Sequence, residues 1–530
     1  MSGRRTDRCS KGKRNDMTAN NVFVLIVMIV YLLFMLLIGF VVSKRNQSVG
    51  DFYLGGRKLG PLVTAMSAEA SDMSSYLLMG LPGLAYLSGL ADVSWTVIGL
   101  CIGTYLNWLI VAKRIRRYTA RTNSITIPDF FSDRYGDSRR ILMLIAALEI
   151  IIFFIPYTGS GFAACGKLFQ SLFNADYHVT MIISAVVIIA YTMTGGFLAA
   201  SLTDFIQSIV MTVALIIVLV FGIQSAGGMD QVIANASKLP GYLSLTQTYD
   251  VATGTAKPYS IVTILSTTAW GLGYFGMPHI LLRFMAIEDD NKLKISRRVA
   301  TVWVIISMAI AVLIGIVGYG MSTAGSIPVL EGSDSEKVIV QVASLMSREG
   351  WLFAIFAGIV LSGILAATMS TSDSQLLAAS SSVSENIIHQ FFHLDLDEKT
   401  LLKIARISLL IIAVIGIGIA WNPDSSVFGI VSFAWAGFGA CFGPVVLLAL
   451  FWRRSNRYGA LAGMLSGCIM VFIWKYAVRP LGGAWNIYEL LPAFIVAIVI
   501  NVIVSLATKE PEKEITDIFD EVNASMKQKS

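Results

Sequence analysis

Polar stretches divide this chain into apolar runs, most of them long enough to cross a bilayer. Such runs, each near the length a spanning helix needs, occupy roughly 22–42, 61–87, 92–112, 141–168, 179–195, 197–224, 259–286, 298–323, 351–384, 403–421, 426–452, 457–478 and 486–507. The pattern predicts an all-α polytopic membrane protein of about thirteen transmembrane helices, an odd number that puts the two ends on opposite sides. Gly195-Gly196 marks the tightest boundary, where two spans meet with almost no loop.

Two of the runs are interrupted. In AMSAEASDMSSYLLMGLPG (65–83), Glu69, Ser71, Asp72, Ser74 and Ser75 fall within seven positions of a membrane span. A carboxylate at bilayer depth costs at least about 2.5–3.5 kcal/mol and so marks an ion or substrate path. Small and hydroxyl residues let such a helix unwind and lend carbonyls to a cation. WGLGYFGMPH (270–279) places three glycines and a proline inside a second span, which predicts an unwound or kinked segment. Each interruption is followed by four further spans. Two five-helix repeats, one inverted relative to the other, are the expected plan, with the site at the midplane between the broken helices. The expected division is a tail at 1–21, a first helix and loop at 22–60, repeat one at 61–224 and an external loop at 225–258. Repeat two at 259–452, two last helices within 453–507 and a tail at 508–530 complete it.

Composition agrees with a membrane protein. Of 530 residues, 55% are hydrophobic and 14% charged, against about a quarter charged in soluble domains. Hydrophilic stretches are too short to build a soluble domain. The basic start, MSGRRTDRCSKGKRND, runs into an apolar span without a cleavage site, which reads as a membrane helix rather than a signal peptide. Met17 offers a second start, MTANNVF, that would remove six basic residues.

The position of charge sets the orientation. Twenty-seven of the 40 Lys and Arg residues gather on one side, Arg283 among them, against seven on the other, Lys167 among them. The expected arrangement is N-terminus outside and C-terminus inside.

A second chemical cluster lies in the ninth run, Ala366 to Ser374. At helical spacing Ser370, Asp373 and Ser374 share a face, with Thr371 beside it. Hydroxyls and carbonyls suit a hard monovalent cation, although Ser and Thr also serve as hydrogen-bonding glue between membrane helices. Asp204 either faces the same cavity or is a solvated carboxylate near a helix start. Glu149, in LEIIIFF, reads as a buried proton carrier or as an acid bonded to a neighbouring helix, and Glu69 is ambiguous in the same way. Tyr157, Trp270 and Tyr274 lie beside the polar or glycine-rich breaks, unlike the interfacial aromatics.

Other chemistry is not encoded. GFAACGKL (161–168) approaches a phosphate-binding loop, but Leu168 replaces the required hydroxyl and no strand precedes it. The five cysteines, Cys9, Cys101, Cys165, Cys441 and Cys468, form no CxxC or Cys/His pattern, which argues against a zinc or redox site. The histidines show no metal spacing, and no nucleophile–base constellation suggests an enzyme. The short C-terminal tail leaves no room for a sensor's signalling domain.

Several stretches together resemble the sodium/solute symporter family, and most closely its proline carriers: ASDMSSYLLMGLPG (70–83), TGGFLAASLTDFIQ (194–207), WGLGYFGMPHILLRFMA (270–286), ILAATMSTSDSQLL (364–377) and SFAWAGFGACFGPVVL (432–447). The resemblance covers roughly 22–508. It implies the thirteen-span LeuT-type 5+5 inverted repeat and Na⁺-coupled import of L-proline through the cell membrane, with no nucleic-acid partner. It further implies a sodium site made by carbonyls of Ala70, Met73 and Ala367 and hydroxyls of Ser370 and Thr371. Tyr157, Trp270, Tyr274 and Pro278 would form the proline pocket, and Asp72 and Ser74 would couple ion to substrate. Some relatives use a second sodium site, which Asp204, Ser370, Asp373 and Ser374 would match. Ser75, Tyr76 and Met277 depart from the glycine, tryptophan and glutamine expected of a proline carrier, and Glu69 replaces a small residue. Another small solute or amino acid, coupled to sodium or protons, is the alternative on the same scaffold; a membrane sensor or enzyme is a remote one.

Overall fold

The computed structural model describes residues 19–43, 48–173 and 175–527. Most of the N-terminal tail, with Cys9 and the alternative start at Met17, lies outside the described residues, as do Lys44 and Arg45.

The apolar runs become helices α1 (Ala19–Ser43), α2 (Pro61–Ser75), α3 (Leu81–Ser88), α4 (Leu90–Leu106), α5 (Ile141–Phe173), α6 (Tyr177–Ser225) and α7 (Ile261–Thr268). They continue as α8 (Pro278–Ala286), α9 (Leu293–Thr323), α10 (Trp351–Ser381), α11 (Glu398–Ile419), α12 (Val427–Phe451), α13 (Arg457–Ile473) and α14 (Leu490–Ala507). Ten helices among the described residues are long and apolar enough to cross a membrane. One of these, α6, spans 49 residues and turns at Gly196, whose φ of 62° favours a residue without Cβ. The two runs read on either side of that glycine are thus one helix pair without a loop. The pairs α2/α3 and α7/α8 are the two interrupted spans.

At the first interruption Ser74 adopts φ 49° and ψ −171°, and a wide π-type turn, Tyr76–Gly80, leads into α3. A positive φ at a residue with a Cβ is strained by an amount on the order of 1–3 kcal/mol and needs surroundings that hold it. The second interruption is a tight 3₁₀ turn, Ala269–Phe275, followed by Pro278 at the first turn of α8, where a missing N–H costs nothing. The glycines of this stretch let α4 lie directly on it. A Cβ on Gly103 would stand 2.2 Å from the Gly271 carbonyl oxygen, and one on Gly99 2.2 Å from that of Thr268.

α10 is the hub, packing along α6, α1, α5 and α2, while α13 and α14 pair beside α12. Its polar face is buried throughout, from Ser362 to Ser381. The segment at 225–258 carries a short helix, Met229–Ala236, and a two-stranded hairpin of Gln247–Asp250 with Thr255–Pro258, the one sheet among the described residues. The C-terminal tail also folds. Its helix Lys513–Lys527 docks on the basic helix Ala112–Thr122, with Arg121 to Glu521 at 3.0 Å and Arg117 donating to the Ser525 carbonyl at 2.6 Å.

Candidate substrate and cation site

The break in α2 faces the middle of α10. Ser370 donates to the Ala70 carbonyl at 2.9 Å and to the Ala367 carbonyl at 3.2 Å, and Thr371 donates to Ala367 at 3.1 Å. Four of the five expected sodium ligands are therefore contiguous across two helices. The fifth, Met73, accepts the Tyr76 N–H at its carbonyl and lines the adjoining cavity. Oxygens of this kind, all neutral and converging in a buried volume, suit a monovalent cation stripped of water.

The adjoining cavity is walled by Asp72, Met73, Tyr76, Leu100, Tyr157, Trp270, Met308, Val431 and Trp435, and encloses only about 10 Å³, close to the swept volume of one water. Tyr274 donates to Asp72 Oδ2 at 2.6 Å, and Tyr157 reaches the Asp72 carbonyl at 3.4 Å. The other carboxylate oxygen of Asp72 has no partner. Trp270 stacks on Tyr76 at 5.7 Å and on Tyr488 at 5.0 Å, and its carbonyl accepts from Trp435 Nε1 at 2.8 Å. The expected pocket residues Tyr157, Trp270 and Tyr274 thus meet around Asp72. Pro278 does not line this cavity; it starts α8 beyond the unwound stretch. Ser74 accepts the Tyr76 N–H at 3.1 Å through its own hydroxyl, so it holds the break rather than the cavity wall.

The group proposed from resemblance as a second sodium site is assembled differently. Asp204 is fully buried, which excludes the solvated-carboxylate reading. Its Oδ2 accepts from Ser67 at 2.7 Å and from Arg283 at 3.1 Å. Arg283 also donates to Ser67 at 3.1 Å, Ser374 at 2.5 Å and the His279 carbonyl at 3.0 Å, with Phe197 under the guanidinium at 4.9 Å. Asp373 accepts from Tyr191 and, at 3.0 Å, from Ser374. Ser370 instead belongs to the α2–α10 contact. Counting Arg283 with inner-loop charges is corrected by its burial: it is the cation of this cluster.

Lys167 needs the same correction. Assigned by charge counting to an outer loop, it is buried against Glu336 at 3.1 Å, and Glu336 also caps α12 through Ser426 and Phe428. Glu69 accepts from Trp108 Nε1 at 2.8 Å, which ties α2 to the helix that continues α4. The sequence carried no signal for these partners, since each lies on another helix.

The ends of the bundle are tied as well. Arg57 donates to the carbonyls of Met285, Thr119 and Ser124, and Leu59 pairs with the Ala286–Glu288 backbone.

Comparison with known proteins decides the family. The Sodium:solute symporter family matches residues 52–467. The chain belongs to the sodium:solute symporter family. The Osmoregulated proline transporter OpuE of Bacillus subtilis (strain 168) is 40% identical over 510 residues, covering 96% of this chain and 100% of that relative. The Sodium/proline symporter of Escherichia coli (strain K12) is 41% identical over 508 residues, covering 94% and 96%. A solved Na⁺-coupled sialic acid symporter, in a substrate-bound outward-open state, superposes with a TM-score of 0.75 at 17% identity over 93% of this chain and 99% of that one. MhsT in complex with L-phenylalanine gives 0.54 at 14% identity, covering 85% and 99%. The fold is therefore of the LeuT type, with Na⁺ as coupling ion. This symporter is a multi-pass secondary transporter of a small polar solute across a lipid bilayer, not an enzyme.

Proposed function

We propose that this symporter imports L-proline, with the N-terminus outside and the C-terminus inside. The observation that carries the reading is the meeting of Asp72, Tyr157, Trp270 and Tyr274 just before the α2 break, with the Ser370–Ala70 contact two residues earlier on the same helix. The relatives at about 40% identity named as proline transporters support the same substrate. Sodium binds the carbonyls of Ala70, Met73 and Ala367 and the hydroxyls of Ser370 and Thr371. It draws α2 and α10 together, and a ligand shifts an equilibrium only by its differential affinity for one conformer. Asp72, held by Tyr274, couples that closure to the substrate side, and Ser74 fixes the bend.

Proline's ring packs among Tyr157, Trp270 and Tyr274 once the cavity opens, while Pro278 orients the start of α8. Repeat one (61–224) and repeat two (259–452) then move against each other around this centre, and the cavity communicates alternately with the two sides. Inward Na⁺ contributes about 2.3 kcal/mol per 100 mV of membrane potential, plus its concentration gradient. Arg283 serves as the fixed cation of the Asp204–Ser374 group, so one sodium accompanies each proline.

Thermal unfolding of the purified protein tests the substrate reading. A ligand at a hundred times its dissociation constant adds about 2.7 kcal/mol to stability. Proline stabilises in the presence of sodium and does little in choline. A larger shift from another amino acid would replace proline as the substrate.

A further inference from the structure

Glu149, Cys441 and Cys468 come from three helices, α5, α12 and α13, and meet away from the transport site. Close helix packing brings them together. Gly467 on α13 lies on the α12 backbone, where a Cβ would stand 2.4 Å from the Ala440 carbonyl oxygen and 3.2 Å from the Cys441 nitrogen. Gly437, one turn before Cys441, admits the Phe153 ring of α5 at 2.2 Å from where a Cβ would be. A carboxylate oxygen of Glu149 and the sulfurs of Cys441 and Cys468 therefore lie within 4.8 Å of one another. Among the described residues they form the one such group of His, Cys, Asp or Glu. The lack of a CxxC spacing argues against a zinc or redox site in the sequence; the helix packing is what brings these two cysteines beside Glu149.

The carboxylate is the second observation. Glu149 is 3% exposed and Cys441 fully buried, whereas Cys468 is partly exposed on the outer face of α13. Neither oxygen of Glu149 has a hydrogen-bond partner other than the facing Cys441 thiol. A buried acid is costly without a partner, and this one points at two thiols.

We propose that Glu149, Cys441 and Cys468 bind a soft or borderline divalent cation of the zinc class. Two sulfurs and one carboxylate oxygen match that ion's ligand preference, and they disfavour sodium, which takes oxygen donors. Two metal–sulfur bonds form as the two S–H bonds break and their protons are released to the bulk, and the carboxylate supplies the third ligand. Glu149 lies two turns from Tyr157 on α5, and Cys441 lies six residues after Trp435 on α12. Bound metal thus clamps together two helices that wall the transport cavity, and it slows transport without competing for its ligands.

Cadmium titration of the reduced, purified full-length protein tests this, read by the thiolate-to-cadmium charge-transfer absorption. The background carries Ala at Cys9, Cys101 and Cys165, so that only Cys441 and Cys468 remain. One equivalent binds, and Cys441→Ser or Cys468→Ser weakens binding by more than the roughly 10–100-fold that outer-sphere changes cost. Glu149→Gln, which keeps the shape and removes the charge, weakens binding while the thiolate band persists. Cadmium also lowers uptake in this background and leaves uptake by the Cys441→Ser/Cys468→Ser variant unchanged. No charge-transfer band with both cysteines present, or equal binding after Glu149→Gln, would overturn the proposal.

Discussion

Arg283 and Asp204 form a buried ion pair at 3.1 Å, between the second broken helix and the long bent helix α6. Ser67 of the first broken helix and Ser374 of α10 complete the ring around the guanidinium. Four segments thus share one buried cation. Asp204 Oδ1 has no partner, so the charge balance of this ring depends on Arg283.

Removing one member of such a pair strands the other. Arg283→Gln is expected to cost about 3–5 kcal/mol, seen as a lower unfolding temperature and little uptake. Asp204→Asn in the same chain should recover part of the stability, because the Asp204 charge stranded by the first change is then gone. A double-mutant cycle on purified protein measures the coupling. Additive losses would show that the pair does not act as a unit.

The same ring bears on stoichiometry. With Arg283 already bonded to Asp204 and Ser374, the ratio of sodium to proline flux should be close to one. Paired ²²Na and proline fluxes in proteoliposomes check it. A ratio near two that falls after Asp373→Ala would return these residues to a second sodium site.

Ser370 and Thr371 should govern sodium rather than substrate. Ser370→Ala and Thr371→Ala each remove one neutral oxygen, and losing about 1.4 kcal/mol or more of ion binding lowers sodium affinity at least about tenfold. Uptake measured against sodium concentration should shift to higher sodium, with much of the maximal rate retained. An unchanged sodium dependence would remove these hydroxyls from the ion site.

Tyr274→Phe leaves Asp72 Oδ2 without its 2.6 Å donor. A buried acceptor left unpaired costs about 1–3 kcal/mol, and the loss should fall on proline affinity and coupling, with folding retained. Proline binding by equilibrium dialysis in sodium, compared with unfolding temperature, separates the two effects.

Close backbone packing gives a steric prediction. Gly103→Ala would drive a Cβ into the Gly271 carbonyl and should abolish assembly. Gly418→Ala, with nothing within 4 Å of the new Cβ, should be tolerated. Surface abundance and size-exclusion profiles of the two variants distinguish them.

The interruptions were readable in the chain because each is local: five polar residues in seven around Asp72, and three glycines before Pro278. The turn inside α6 was readable for the same reason, from Gly195-Gly196. Partnerships between helices were not. Arg283 looked like a loop charge because it sits near the end of an apolar run, while Asp204 lies 79 residues away. Lys167 looked like a loop charge for lack of any local sign of Glu336, and Trp108 gave no hint that it would bond Glu69. Cys441 and Cys468 share no motif spacing; only the approach of Gly467 to Ala440 brings them together. The polar stretch of α2 therefore supplies the break and the acid, while α10 supplies the hydroxyls.

The most direct test is radiolabelled proline uptake into proteoliposomes containing only this protein, under an inward sodium gradient. Sodium should drive accumulation above equilibrium, with a further increase when the interior is made negative. Equal uptake with choline replacing sodium would contradict the sodium-coupled proline mechanism.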